Sequence, residues 1–203
     1  GILLGVIAAL YRNSFIDHLI STSTLTTISS PEFFVGYILM AVFAVNLGWF
    51  PAISNIDNSM GFWARLEASA LPVITLMLVT VAHMMRMTRA SIVSLMASPY
   101  IEMAKLKGLK PSRIIVKHAL PNAWSPIIQV VVLNLAYMIV GVVVIEVVFV
   151  YPGLGALIVD AVLNRDLPVI QGTAMVFATV YVLLFLLADV LSMLANPRMR
   201  HRR

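Results

Sequence analysis

Cysteine is absent, and charge is scarce: only 11% of the 203 residues are Asp, Glu, Lys or Arg. The first absence excludes disulfides and thiolate metal sites and leaves the redox compartment unread. The second, beside 61% hydrophobic residues and a mean hydropathy of +0.96, excludes an ordinary soluble domain, in which about a quarter of residues are charged. No G-x-x-x-x-G-K-S/T loop occurs, so any machinery that cradles nucleotide phosphates belongs to another chain. Internal repeats, low-complexity tracts and a cleavable signal peptide are also missing, and spans of this kind target themselves. What is present is a set of long apolar runs with short polar segments between them. The net charge of +5 is spread over those segments, which speaks for a membrane rather than nucleic acid.

The first residue is Gly, and the apolar run 1–10 is about half the roughly 20 residues that a spanning helix needs. The expectation is a partial helix, with the native protein continuing upstream. A polar turn over 11–18 follows. Full spans are predicted at about 24–50, 70–90, 122–150 and 168–195, with Pro31 kinking the first of them or marking its effective start. External loops are expected at 51–69 and 151–167. Trp49, Phe50, Phe62 and Trp63 suit an interfacial aromatic belt, and 151–167 reads as a short interfacial or re-entrant helix. The whole chain is expected to be one all-α, polytopic transmembrane domain.

Sidedness follows from the cations. With the basic loop 98–121 in the cytoplasm, one side holds Arg12, Arg86, Arg89, Lys105, Lys107, Lys110, Arg113, Lys117, Arg198, Arg200, Arg202 and Arg203. The other side holds only Arg65 and Arg165, which completes the chain's fourteen Lys and Arg. Twelve against two puts that loop and the C-terminus on the cytoplasmic side.

The loop itself, SPYIEMAKLKGLKPSRIIVKHALP, carries helix punctuation. Ser98-Pro99 is a start signal, since Ser caps and Pro suits the first helical position. A short helix is expected over 100–107, and Gly108 permits a left-handed termination or a close backbone approach. Pro111 opens a second, basic and amphipathic helix over 112–119, and Pro121 and Pro126 mark the return to the membrane. The product is a helix–turn–helix elbow shaped for a groove on another protein. The alternative is a solvated loop that only anchors topology.

The spacing of Glu102, Ala104, Gly108 and His118 with Ala119-Leu120-Pro121 resembles the EAA loop of ABC importer permeases. The run from Met87 to Ala123 resembles, more narrowly, the dipeptide/oligopeptide/nickel permease family. Leu47-Gly48-Trp49-Phe50-Pro51-Ala52, Phe149-Val150-Tyr151-Pro152-Gly153-Leu154-Gly155, Leu163-Asn164-Arg165-Asp166 before Pro168, and Asn196-Pro197-Arg198 extend the resemblance over essentially the whole chain. The first of these is closer to the B-type permease than to its partner. Met103 and His118 depart from the general EAA pattern, as is usual in the peptide subgroup.

The resemblance implies a type I ABC importer transmembrane domain with a cytoplasmic coupling helix at 100–108. It implies coupling roles for Tyr100, Glu102, Ala104, Lys107, Gly108, His118, Leu120 and Pro121. Ala104 and Gly108 would permit close approach, and Glu102 would offer a charge to the ATPase or to the loop itself. The implied partners are a second, related permease, two cytoplasmic ATPase subunits or domains, an extracytoplasmic solute-binding protein and the bilayer of a bacterial or archaeal plasma membrane. No cofactor is implied on this chain; ATP and Mg belong to the ATPases. The implied function is import of dipeptides or oligopeptides by alternating access, without covalent chemistry on this chain. Nickel or another small solute is the alternative cargo, and an ion-coupled secondary transporter is the competing class.

Single residues carry less. Glu146 and Asp189 are acids at membrane depth and candidates for function, against a plainer reading of an interfacial Glu146 and an Asp189 paired with a neighbouring helix. His83 with Met84, Met85 and Met87 is expected to be packing rather than a soft-metal site. His18, His118 and His201 lack ligand spacing. Gly1 and Gly5 form a GxxxG of the kind chance supplies.

Overall fold

The computed structural model describes residues 1–57 and 59–195. The tail with Asn196-Pro197-Arg198, His201 and its four arginines lies outside the described residues, as does Asn58. The described residues contain helices and turns but no strand. The elements are α1 (Ile2–Leu10), α2 (Phe15–Ser29), α3 (Glu32–Leu39), a π-helical extension (Met40–Asn46) and α4 (Phe62–Met96). They continue with α5 (Pro99–Leu106), α6 (Pro111–Ile114), a π turn (Ile115–Ala119), α7 (Leu120–Phe149), α8 (Leu154–Leu163) and α9 (Leu167–Ala195). Among the described residues α4, α7 and α9 are long and apolar enough to cross a membrane, and the bent pair α2–α3 makes a fourth if it is one span.

Several boundaries differ from the sequence expectation, each for a local reason. The turn expected at 11–18 becomes helical from Phe15. The hydroxyls of Ser23, Thr24 and Thr26 donate to the carbonyls of Leu19, Ile20 and Thr22 at 2.8–3.0 Å, so α2 hides polarity that the sequence displays. The span expected at 24–50 is bent by 103° between α2 and α3. Pro31 sits at φ −58°, ψ 143°, and the residue before a proline avoids the helical region. The loop expected at 51–69 ends early, because α4 begins at Phe62, so Phe62 and Trp63 belong to a helix rather than to a loop. At its other end α4 runs through Arg86 and Arg89 to Met96. The separate helix expected at 112–119 is one helical turn that widens into a π turn and runs directly into α7. Pro121 has no N–H, and a π turn absorbs such a break in the backbone ladder.

The chain divides into two compact units, one assembled from three separated stretches and the other from two. One comprises Gly1–Thr26, Val81–Leu135 and the described residues from Leu183 onward. Its core gathers Ala9, Ile92, Ala123 and Ile127, flanked by Val6, Leu10 and Leu120. Gly1 and Gly5 are not a chance pair here. A β-carbon on Gly5 would lie 2.8 Å from the Met85 carbonyl oxygen, and one on Gly1 would lie 2.8 Å from the Met84 β-carbon. The small residues let α1 pack directly on α4.

The other unit comprises Thr27–Thr80 and Ala136–Val182. Leu71, Ile145 and Phe149 form its centre, with Leu39, Met40, Phe43 and Phe50 around them. The Leu47–Ala52 motif closes the π-helical extension: Leu47 N–H donates to the Val42 carbonyl (3.0 Å) and Trp49 N–H to that of Phe43 (2.8 Å). Gly48 takes φ +65° between them. The Trp49 ring rests on Phe43 with centroids 5.6 Å apart.

Candidate functional site

The elbow after α4 is built from short-range chemistry. Ser98 is extended (φ −78°, ψ 148°) with Pro99 at the first helical position, and its hydroxyl donates back to the Leu95 carbonyl. The N–H groups of Ile101 and Glu102 donate to the Ser98 carbonyl at 3.0 and 3.2 Å. At the far end Gly108 N–H donates to the Lys105 carbonyl (2.9 Å) and Leu109 N–H to that of Ala104 (3.3 Å). This paired closure with Gly108 at φ +74° is a Schellman ending. A β-carbon at Gly108 would meet nothing within 4 Å. The glycine therefore serves the left-handed backbone, not close packing within this chain.

Beneath the turn, Ile101, Ala104, Ile114 and Ala119 form a small core of their own, joined by Met96 and Leu109. α5 and α6 are thereby tied into one body. Ala104 faces into this core, so the close approach it permits is to Ile114 and Ala119 rather than to an outside surface.

The outward face of α5 carries Tyr100, Met103 (57% exposed), Leu106 (77% exposed) and Lys107. The sequence groups Leu106, or Lys105, with Ile101, Ala104 and Gly108 by helical spacing and marks Met103 only as a departure from a motif, whereas the structure turns Ile101 and Ala104 inward and leaves Met103 and Leu106 outside. Their i, i+3 spacing with Tyr100 was the available signal. Glu102 is exposed and forms no ion pair with any described residue. Leu120 packs toward Ala123 and Ile127 at the start of α7, and Pro121 is exposed beside it. The side chain of His118 lies outside those described. The elbow thus brings Tyr100, Met103, Leu106 and Lys107 onto one face, while Ala104 packs behind it and Leu120 joins the separate core at the start of α7.

Two carboxylates that the composition alone leaves unassigned have defined partners. Asp17, at the start of α2, accepts two hydrogen bonds from Arg89 of α4, each 2.7 Å. It also accepts from the Asn13 backbone N–H (2.9 Å) and the Ser21 hydroxyl (3.2 Å). Its side chain is 4% exposed.

Glu146 is not a passive interfacial acid. Its Oε2 accepts the N–H groups of Gly155 and Ala156 at 2.7 and 3.0 Å and so caps α8 across the turn. Val150 in that turn has φ +53°. A β-carbon on Gly155 would fall 2.5 Å from the Val143 α-carbon, and one on Gly153 would overlap the Glu146 carboxylate.

Among the described residues Asp189 has no ion-pair partner on a neighbouring helix. It is exposed and lines a cleft of about 440 Å³ with Met87, Ser91 and Gln129. Met84 and Met85 pack against the glycine face of α1. Among the described residues no group of His, Cys, Asp or Glu is placed to hold a metal.

Long apolar helices interrupted by an elbow with a small core of its own define a class: polytopic helical membrane proteins. Within that class, the chain belongs to the binding-protein-dependent transport system inner membrane component family, whose model matches residues 1–201. It is 35% identical to the Di/tripeptide transport system permease protein DppB of Pseudomonas aeruginosa over 223 residues, covering 100% of this chain and 66% of the relative. It is 37% identical to a probable peptide ABC transporter permease protein of Sinorhizobium fredii, with 99% and 64% covered. Identity to the glutathione transport system permease protein GsiC of Escherichia coli strain K12 is 38%, with 100% and 63% covered. The chain spans just under two thirds of the length of these curated relatives. A solved structure of the MetNI methionine ABC transporter in inward-facing conformations superposes with a TM-score of 0.71 at 16% identity, covering 95% of this chain and 84% of that one. That likeness concerns the fold, which is the type I importer transmembrane fold.

Proposed function

We propose that this chain is the membrane-spanning part of an ATP-driven importer that carries peptides across the plasma membrane by alternating access. The observation that carries the reading is the elbow. An apolar ridge of Tyr100, Met103 and Leu106 stands exposed on a helix whose back is locked by Ile101 and Ala104. Exposed apolar ridges on rigid helices fit grooves of partner proteins.

In this reading the ridge docks into a cytoplasmic ATPase, and Glu102 and Lys107 supply charge around it. Gly108, Leu120 and Pro121 set the angle at which motion of the elbow passes into α7, and His118 lies within that same return. Two ATPase subunits bind and hydrolyse ATP with Mg, and this chain carries no catalytic residue. A second permease completes the pathway, and an extracytoplasmic binding protein delivers the cargo. α9 leaves room for such a neighbour, since 6% of its apolar window is buried within the chain against 39% for α4 and 33% for α7. Peptide cargo is supported by the names of the relatives, which specify di/tripeptides, peptides and glutathione.

Reconstitution of the full-length permeases with their ATPases and binding protein tests the reading. Labelled dipeptide should accumulate in vesicles only with ATP and all subunits. Accumulation driven by an ion gradient without ATP would overturn it.

A further inference from the structure

A second cleft, of about 390 Å³, opens where α1, the end of α4 and α5 meet. Its wall is apolar: Ala9, Leu10, Val93, Met96 and Ala97. Its two charged lining residues are both cations, Arg12 after α1 and Lys105 on α5, and no acid lines it. Lys105 has an occupation of its own, since its ammonium reaches the Met96 carbonyl at the end of α4 at 3.5 Å. Arg12 is exposed and forms no ion pair with any described residue. An unpaired guanidinium over a greasy trough is an odd arrangement for a surface loop. It is a fitting one for a ligand with an anionic head and an apolar tail.

The cleft lies where the chain passes from apolar helices to the basic elbow. On the cytoplasmic placement proposed above, on which this inference rests, that level is the headgroup region of the inner leaflet. Anionic lipids concentrate there, and basic pockets between helices on that side bind their headgroups. We infer that the cleft is a binding site for an anionic phospholipid, with the phosphate held between Arg12 and Lys105 and one acyl chain along Leu10, Val93 and Met96. A lipid bound there touches α1, α4 and the coupling helix at once, so the elbow's seating would depend on the lipid composition of the membrane.

The test uses the complete transporter in phosphatidylcholine nanodiscs doped with a photoactivatable phosphatidylglycerol, with crosslinked peptides mapped by mass spectrometry. Labelling should concentrate on 9–12 and 93–97. It should fall about fivefold in R12Q, the share expected for one cation near an anionic surface. R12K should restore it, and a photoactivatable phosphatidylcholine should label wild type and R12Q alike. Millimolar inorganic phosphate should not compete, because it lacks the apolar tail. Equal phosphatidylglycerol labelling of wild type and R12Q would overturn the inference. So would full protection by inorganic phosphate, or labelling that emerges only after the ATPase is stripped away, which would make the cleft part of the ATPase interface. Sidedness is read separately: the chain lacks cysteine, so K110C, at an exposed position off the docking ridge, reacts with an impermeant maleimide from one face only. Reaction from the external face would overturn both the inference and the placement beneath it, whereas cytoplasmic reaction without lipid labelling would overturn the inference alone.

Discussion

Asp17 and Arg89, 72 residues apart in the chain, meet in a two-pronged ion pair with both contacts at 2.7 Å. The carboxylate end is almost fully buried and the guanidinium end is 28% exposed. The pair fixes the start of α2 to the last third of α4, the helix that leads into the elbow.

Removing one partner should cost more than removing both. D17A leaves the Arg89 guanidinium, the Asn13 N–H and the Ser21 hydroxyl without their acceptor, a loss of about 3 kcal/mol for a pair buried at one end. Replacing the pair together, as D17L/R89M, should stay within about 1 kcal/mol of wild type, since apolar isosteres often substitute for buried ion pairs at little cost. Thermal denaturation in nanodiscs reads both. If D17A and the double variant lose equal stability, the pair is not what holds α2 to α4.

Gly108 separates backbone strain from partner contact. Its φ of +74° is strained for side chains in general, and its would-be β-carbon meets only open space. G108A should cost about 1 kcal/mol of permease stability. G108N should cost less, because Asn tolerates the left-handed region, yet it adds bulk on the open side. If the ATPase sits against this turn, G108N weakens ATPase assembly while permease stability barely changes. Normal assembly and uptake in G108N would remove Gly108 from the docking surface.

How far the sequence reaches is visible at these same residues. Ser98, Pro99 and Gly108 act through neighbours within a few positions, so the elbow's start and stop are written locally. The apolar runs likewise announce an all-α membrane protein before any coordinates. Helix ends are less legible. α2 conceals its hydroxyls in backbone bonds, and α4 runs on through Arg86 and Arg89. The acceptor that satisfies Arg89 lies 72 residues away, beyond any window of local pattern. Ala104 shows the same limit within the elbow. A small residue in a motif reads equally well as room for a partner or room for a core, and only packing against Ile114 and Ala119 decides.

The ridge predicts a sharp division of phenotypes on α5. L106D and M103A alter exposed side chains, so permease stability should move by less than about 0.5 kcal/mol. Each should weaken ATPase binding by roughly tenfold or more if the ridge is an anchor. A104L acts inward, overfilling the small core at a cost of about 1–3 kcal/mol. Its defect should therefore register first in thermal denaturation. Copurification of ATPase with each variant separates the two kinds. Stable permease with intact ATPase binding in both L106D and M103A would mean that α5 docks through another face, or not at all.

The turn between α7 and α8 offers a test independent of any partner. Among the described residues Glu146 supplies the acceptor for the Gly155 and Ala156 N–H groups, reaching them across nine and ten residues of chain. E146A leaves both donors without it, at about 1–2 kcal/mol for a lost helix cap. E146Q keeps an acceptor oxygen but no charge at the helix N-terminus, so its loss should be smaller, about 0.5–1 kcal/mol. G155A should be the worst of the three. Its β-carbon would fall 2.5 Å from the Val143 α-carbon, and backbone cannot swing aside as a side-chain tip can, so α8 must move away from α7. Hydrogen exchange across 150–163 reads the order directly, with protection lost least in E146Q, more in E146A and most in G155A. Equal protection in E146A and wild type would show that the carboxylate decorates the turn rather than holding α8 in place.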